Sequence, residues 1–151
     1  MLTRAQSHYG SSEGCCAYFQ CMHRSEGRGL AFGVHSYRAL VCVVMRNDLV
    51  PAFFTDATFC KNRLRIWVED HYQDMILTKQ RVEDEAGFNA MGLKVRHVDF
   101  EPSAFNLAED ILKHIEVIYM HLTDIPEYRV RVQVMDDISG VEATVSGIVM
   151  P

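Results

Sequence analysis

Alternation of apolar and polar residues is strongest near the end of the chain. Residues 128–134 (YRVRVQV) alternate strictly, which is typical of a strand with one buried and one wet face. A second stretch, residues 37–45, is rich in β-branched residues and also predicts a strand. Further strands are predicted at 15–22, 92–100 and 141–149. These segments predict that strands form a substantial part of the fold.

Helical spacing of apolar residues appears in two other stretches. The first helix follows Thr55 or Asp56, either of which can cap it, and its apolar face is formed by Ala57, Cys60, Leu64, Trp67 and Val68. The second helix begins at Pro102-Ser103, where proline is tolerated and serine can cap, and is expected to end near Thr123. Residues 79–90 are less regular and predict a short helix followed by a loop.

The order of elements predicts one α+β domain. Two strands precede a helix, a short strand and a long helix follow, and two strands end the chain. The length of 151 residues fits a single domain, and 48% apolar residues suffice for a core. Residues 1–14 are polar and rich in Ser and Gly, so they are expected to form a flexible arm before a domain at 15–151.

Charge and cysteine content narrow the class of protein. A formal charge of −5 argues against a nucleic-acid surface, because backbone phosphates select for clustered Lys and Arg. No apolar run approaches the ~18 residues that span a bilayer, and the N-terminus lacks the apolar segment of a signal peptide. The five cysteines lie mostly among apolar residues, which indicates reduced thiols in a cytoplasmic protein.

Four short fragments carry the candidate chemistry. Two place a histidine on a predicted strand, one ends the first helix with an Asp-His pair, and one opens the second helix. They are Phe19-Gln-Cys-Met-His23-Arg24, Gly33-Val-His35-Ser-Tyr37-Arg38, Glu69-Asp70-His71 and Pro102-Ser-Ala-Phe-Asn106. Histidines beside an acidic pair suggest a site for metal binding and acid/base catalysis.

In order and spacing, these fragments resemble the family of 6-pyruvoyl-tetrahydropterin synthases and 6-carboxytetrahydropterin synthases. The resemblance covers roughly residues 19–147. It implies the tunnelling fold, a four-stranded antiparallel sheet with two helices on one face, whose sheets join into a barrel in the oligomer. It further implies a homohexamer, a dimer of trimers, or another homo-oligomer, with a small-molecule substrate bound between subunits.

The resemblance also implies a zinc site. Family members bind zinc through three histidines, two of which correspond to His23 and His35, whereas the third position is Gly33. Cys21 precedes His23 by two residues, so on a strand both side chains share a face and Cys21 is a possible substitute ligand. Alternatively, the histidines are ordinary strand residues and Cys21 packs in the core.

The catalytic set implied by the family is Cys, Asp and His. Gly29 stands at the cysteine position, while Asp70 and His71 are present. An Asp beside a His can orient the imidazole for proton transfer at a carbon next to a carbonyl group. The alternative is a solvated or capping pair at a helix end.

Family members also hold the pterin ring with a glutamate on the strand after the long helix. By spacing this position is Met135, which accepts hydrogen bonds poorly. The candidate acceptors are Asp136, expected on the opposite strand face from Met135 unless a bulge re-aims it, and Glu142. A solvated turn is the alternative for Asp136 and Asp137.

Three functions follow from these retained and altered positions. The favoured one is a divergent 6-pyruvoyl-tetrahydropterin synthase-like enzyme that runs lyase or cyclase-type acid/base chemistry through Asp70 and His71 on a pterin-like or specialised-metabolite substrate. The alternatives are a zinc-dependent pterin synthase with substitute ligands and a non-catalytic oligomeric ligand-binding protein on the same scaffold.

Overall fold

The computed structural model describes residues 9–25, 32–46, 57–118 and 128–149. Side chains are described from residue 15 in the first range, to residue 43 in the second and from residue 62 in the third. The predicted caps Thr55 and Asp56, the end of the long helix near Thr123 and the position Gly29 lie outside the described residues.

In the described part of the chain, the sheet is mixed and six-stranded. Its strands are β1 (Tyr9–Arg24), β2 (Phe32–Arg46), β3 (Met75–Thr78), β4 (Lys94–His97), β5 (Tyr128–Asp136) and β6 (Glu142–Val149). They are arranged in the order β4-β3-β1-β2-β5-β6. Strands β1, β2, β5 and β6 pair antiparallel, whereas β3 lies parallel to both β1 and β4. The expectation of four antiparallel strands therefore omits the two short parallel strands at one side.

Four helices of the described residues accompany the sheet. They are α1 (Ala57–His71), α2 (Glu85–Ala90), α3 (Ala104–Lys113) and α4 (Ile115–Ile118). Ser103 caps α3 as predicted, because its Oγ accepts a hydrogen bond from the Asn106 amide at 3.1 Å. The long predicted helix is interrupted at His114, so α3 and α4 are separate elements. None of the helices in the described ranges is both long and apolar enough to span a bilayer.

Strand β1 begins earlier than the sequence suggests. The arm predicted over residues 1–14 is too long, since Tyr9 already pairs with Arg46 of β2 and Ser12 pairs with Val44. Residues 1–8 lie outside the described chain. Polar side chains do not prevent strand formation where the backbone can pair with a long neighbouring strand, here β2.

The core lies between one face of the sheet, called here the inner face, and helices α1 and α3. Alternate residues of the long strands are buried there, among them Phe19, Val41 and Val132. Helix α1 contributes Leu64, Trp67 and Val68, and α3 contributes Leu107, Ala108 and Ile111. Cys15 and Cys21 are buried in this core, whereas Cys16 and Cys42 are partly exposed.

Candidate functional site

Strand pairing brings a polar cluster together at one end of the inner face. Cys21 of β1 lies directly opposite His35 of β2, and Tyr37 of β2 lies directly opposite Asp136 of β5. Residues that face each other across strands point to the same side of a sheet. His23 lies two residues beyond Cys21 and therefore joins the cluster. His23 and Asp136 are almost fully buried, with 3% and 4% of their surface exposed.

His35 is held between a carboxylate and a hydroxyl group. Its Nδ1 lies 2.8 Å from Asp136 Oδ2, and its Nε2 lies 3.1 Å from Ser25 Oγ. Burial opposes ionisation of Asp136, but hydrogen bonds from His35 and from the Ile138 and Ser139 amides outweigh it, so the pKa of Asp136 is lowered. An ionised Asp136 accepts the Nδ1 proton of His35. We therefore assign the Nε2 lone pair as the acceptor of the Ser25 hydroxyl proton.

His23 is fixed in the same tautomer by different partners. Its Nδ1 lies 2.8 Å from the Arg24 carbonyl oxygen, which can only accept, and its Nε2 lies 2.8 Å from Tyr37 Oη. Burial lowers the pKa of His23 to about 4, so the ring is neutral near pH 7. Its ring stacks on that of His35, with centroids 3.8 Å apart and planes 4° from parallel.

A three-ligand zinc centre does not fit this arrangement. Both histidines hold Nδ1 on an oxygen acceptor, as zinc-binding histidines do. However, an imidazole lone pair lies in the plane of its ring, and two parallel planes stacked 3.8 Å apart do not direct their lone pairs at one point. Burial, and secondarily Asp136, raises the pKa of Cys21 to about 12, which keeps it a thiol. Among the described side chains, no group of three metal-ligating residues converges.

His71 lies at the end of α1, apart from this cluster. Its Nδ1 lies 2.7 Å from the Trp67 carbonyl oxygen, and its ring stacks on the Trp67 indole with centroids 4.1 Å apart. The Trp67 carbonyl thus orients His71 in the way expected of Asp70, whose side chain is exposed. Because Nδ1 donates to that carbonyl, Nε2 retains a lone pair that can accept a proton.

Aromatic rings separate His71 from the polar cluster within one chain. Trp67 contacts Tyr72, Tyr72 contacts Phe19, and Phe19 contacts Tyr37, with ring centroids 5.0 to 5.4 Å apart. The two predicted groups of site residues, His23 with His35 and Asp70 with His71, therefore lie at different places in a single subunit.

Asp136 and Glu142, the two carboxylates considered for pterin binding, also lie apart from each other. Asp136 continues the buried register of Tyr128, Val130, Val132 and Val134, so it faces the inner side of the sheet without any bulge. Met135 faces the outer side, where its sulfur lies 3.0 Å from an Arg38 guanidinium nitrogen. Glu142 pairs with Met135, is exposed and accepts a hydrogen bond from Gln133 at 3.2 Å. Asp136, rather than the expected Met135, is thus the residue of β5 on the histidine side.

Sequence patterns did not identify two groups that the structure brings together. One is Ser25, which belongs to none of the four fragments although it lies two residues after His23. The second group contains Tyr72, whose hydroxyl donates to buried Asp110, and His114, whose Nδ1 lies 3.3 Å from the other Asp110 oxygen. The sequence feature that could have identified this second group is Asp110, an acidic residue within the apolar stripe that includes Leu107 and Ile111.

Comparisons with known proteins establish the fold. No protein-family model and no curated protein sequence matches the chain. Among solved structures, a 6-pyruvoyl tetrahydropterin synthase from Plasmodium falciparum is similar, with a TM-score of 0.59 and 13% identity. The synthase from Plasmodium vivax is similar with a TM-score of 0.64 and 15% identity, and a catalytic-residue variant of it with 0.62 and 16%. Each comparison covers 93% of this chain and 100% of the other. The chain therefore has the fold of these synthases.

Proposed function

We propose that the protein is a divergent 6-pyruvoyl-tetrahydropterin synthase-like enzyme. It acts by lyase or cyclase-type acid/base chemistry on a small pterin-like or specialised-metabolite substrate. The observation that carries the proposal is the cluster of buried His23, partly buried His35 and buried Asp136 at one end of the inner face of this fold. Burying polar and charged groups costs free energy, and perturbed ionisable groups gather at functional sites.

His71 is the proposed acid/base residue. Its Nδ1 proton is held by the Trp67 carbonyl, and the stacked indole fixes the ring, so Nε2 presents a lone pair in a defined direction. A general base of this kind removes a proton from a carbon next to a carbonyl group and returns it at a neighbouring position. Exposed Asp70 adds negative charge beside the imidazolium that forms.

The site is proposed to be completed between subunits. Within one chain His71 lies across the Phe19–Tyr72 contact from the histidine cluster, so a neighbouring subunit would have to supply one of the two groups. Such an arrangement follows the homohexamer implied by the family resemblance. Asp136 then orients His35 and contributes negative charge toward the N–H edge of a bound pterin ring.

The glycine at position 29 does not exclude this chemistry. The Plasmodium vivax synthase is described with variants of a glutamate as its catalytic residue, whereas the family pattern matched here has a cysteine. Proteins of this fold therefore do not all have the same residue type described as catalytic. In the proposed enzyme, His71 acts with no side chain at position 29.

Turnover of 7,8-dihydroneopterin triphosphate by the purified protein tests the proposal. We expect product formation, and a decrease in kcat/KM of about 100-fold or more in His71→Ala, which is the usual contribution of a general base. His97→Ala is the matched control, because His97 is an exposed histidine on β4. Circular dichroism confirms that each variant is folded. A folded His71→Ala protein with wild-type kcat/KM would contradict the assignment, and no turnover by the wild type would exclude this substrate.

A further inference from the structure

Ser25, His35 and Asp136 form a continuous hydrogen-bonded chain in the order hydroxyl, imidazole, carboxylate. We propose that this chain is the nucleophile, general base and orienting carboxylate of a second activity, the hydrolysis of activated esters. It uses His35 as a proton acceptor, and neither zinc nor His71 takes part.

The distances match what such a nucleophile requires. Ser25 Oγ lies 3.1 Å from His35 Nε2, and His35 Nδ1 lies 2.8 Å from Asp136 Oδ2. An activated serine is recognised by this geometry, a base within hydrogen-bond reach of the hydroxyl and a third group that orients the base, and not by sequence order. Here the chain order is Ser, His, Asp, and 101 residues separate His35 from Asp136.

The carboxylate is rigidly held. Asp136 Oδ1 accepts hydrogen bonds from the Ile138 amide at 2.9 Å and the Ser139 amide at 3.4 Å, which leaves Oδ2 directed at His35. On its other side the His35 ring stacks on His23, which is itself fixed by Tyr37 and the Arg24 carbonyl. His35 therefore has little freedom to turn its Nε2 away from Ser25.

Gly33 leaves the reactive edge of His35 accessible. A Cβ atom built on Gly33 would lie 3.5 Å from His35 Nε2, and Gly33 is exposed. About one sixth of the His35 side chain, 16%, is exposed to solvent, so a small acyl group can approach beside Ser25. The missing side chain at position 33, which removes a zinc ligand from the family pattern, is the same feature that opens this approach.

The reaction balances without any further cofactor. Ser25 Oγ attacks the ester carbonyl carbon, a C–O bond forms, and the Ser25 proton passes to His35 Nε2. The C–O bond to the alcohol then breaks, and the departing oxygen takes that proton. Water attacks the acyl-serine by the same route, His35 again accepts and returns a proton, and the carboxylic acid is released.

Labelling with a fluorophosphonate tests the proposal directly. In this reaction Ser25 Oγ bonds to phosphorus, fluoride leaves, and His35 accepts the hydroxyl proton. We expect intact mass to increase by one phosphonyl group, mapped to Ser25 by peptide analysis. Ser25→Ala should abolish labelling, and His35→Gln or Asp136→Asn should slow it about 100-fold or more, as loss of a general base does.

Two further variants keep the test decisive. Ser146→Ala removes an exposed serine of β6 and should label as the wild type does. Gly33→Val leaves the three residues intact but fills the space beside His35, so it should slow labelling without unfolding the protein. Unlabelled wild type, or equal labelling in Ser25→Ala, would overturn the proposal. Failure of the pterin assay would not affect this result, because labelling requires neither a pterin nor His71.

Discussion

At the scale of single residues, the buried cluster is defined by complete pairing of its ring nitrogens. Each nitrogen of His23 and His35 has a partner within 3.1 Å, supplied by Arg24, Tyr37, Ser25 or Asp136. An unpaired buried polar group costs about 1–3 kcal/mol, so this pairing makes the burial tolerable. It also fixes both tautomers, which sets the positions of the lone pairs.

The lowered pKa of His23 predicts a pH-dependent stability. Burial lowers this pKa from 6.5 to about 4, so between these values the unfolded chain binds a proton that the folded protein does not. The free energy of unfolding should therefore increase as the pH increases across this window. Protonation of His23 alone should lower it by roughly 3 kcal/mol as the pH decreases through the same window. Urea unfolding at pH 4 to 7 measures this, and His23→Gln should flatten the curve.

The control for this prediction is His97→Gln. His97 is exposed on β4, so its removal should leave the slope between pH 4 and 6.5 as it is in the wild type. Equal slopes for the wild type and His23→Gln would show that the pKa of His23 is the same in the folded and unfolded states, which would contradict the prediction.

The sequence reveals the two histidines but not their contacts. His23 and His35 are recognisable from the motifs that contain them. Their partners are harder to predict, because Asp136 is 101 residues from His35 and Ser25 follows the end of β1. The buried position of Asp136 was readable from the alternation of β5, since it follows Val130, Val132 and Val134 in register. When the family's pterin-binding glutamate is assigned by spacing alone, its position falls on Met135 and not on Asp136.

At the scale of elements, the patterns that predict well are those with a clear period. The strand at 128–134 and the helix starting after Ser103 are both present, because one face of each is buried. Strand β3 was not predicted since all four of its residues, Met75–Thr78, are buried and show no alternation. The end of α3 at Lys113 also has no signal in the apolar stripe, which continues through Ile115 and Ile118.

The Ser103 cap makes a testable contribution to α3. Its hydroxyl oxygen accepts the Asn106 amide proton, which would otherwise lack a partner in the first turn. Ser103→Ala should lower the free energy of unfolding by about 1 kcal/mol, measured by urea denaturation. Ser146→Ala, on the exposed face of β6, should change it by less than about 0.5 kcal/mol. Equal effects of the two substitutions would mean that the cap does not stabilise α3.

At the scale of the whole molecule, the fold is kept at low sequence identity. Similarity to the Plasmodium synthases extends over 93% of the chain at 13% to 16% identity. Core positions need only an apolar side chain of suitable volume, whereas a metal ligand or a nucleophile needs one particular residue type. This is why the strand and helix pattern predicts the fold, while Gly33 and Met135 leave the chemistry open.

On the outer face of the sheet, three large apolar side chains of the described residues are exposed. Tyr18, Val34 and Ile148 are 63%, 58% and 54% exposed on this face. Within the described part of the chain, β4 and β6 are the ends of the strand order, so each has one edge facing no other strand. Exposed strand edges and apolar faces are normally paired or covered, and a neighbouring subunit could do both.

These strand edges are compatible with an oligomer, and the family resemblance leads us to predict a homohexamer whose sheets join at their edges. Light scattering should give a mass near six times the 17.3 kDa of one chain. A lysine on an edge strand opposes such pairing, so Ile148→Lys should shift the mass toward smaller species. Val117→Lys is the matched control, because Val117 is at least as exposed as Ile148 but lies on α4, away from the sheet edge, and should leave the mass unchanged. A wild-type mass near that of a single chain would contradict the hexamer, and His71 would then have to act without a neighbouring subunit.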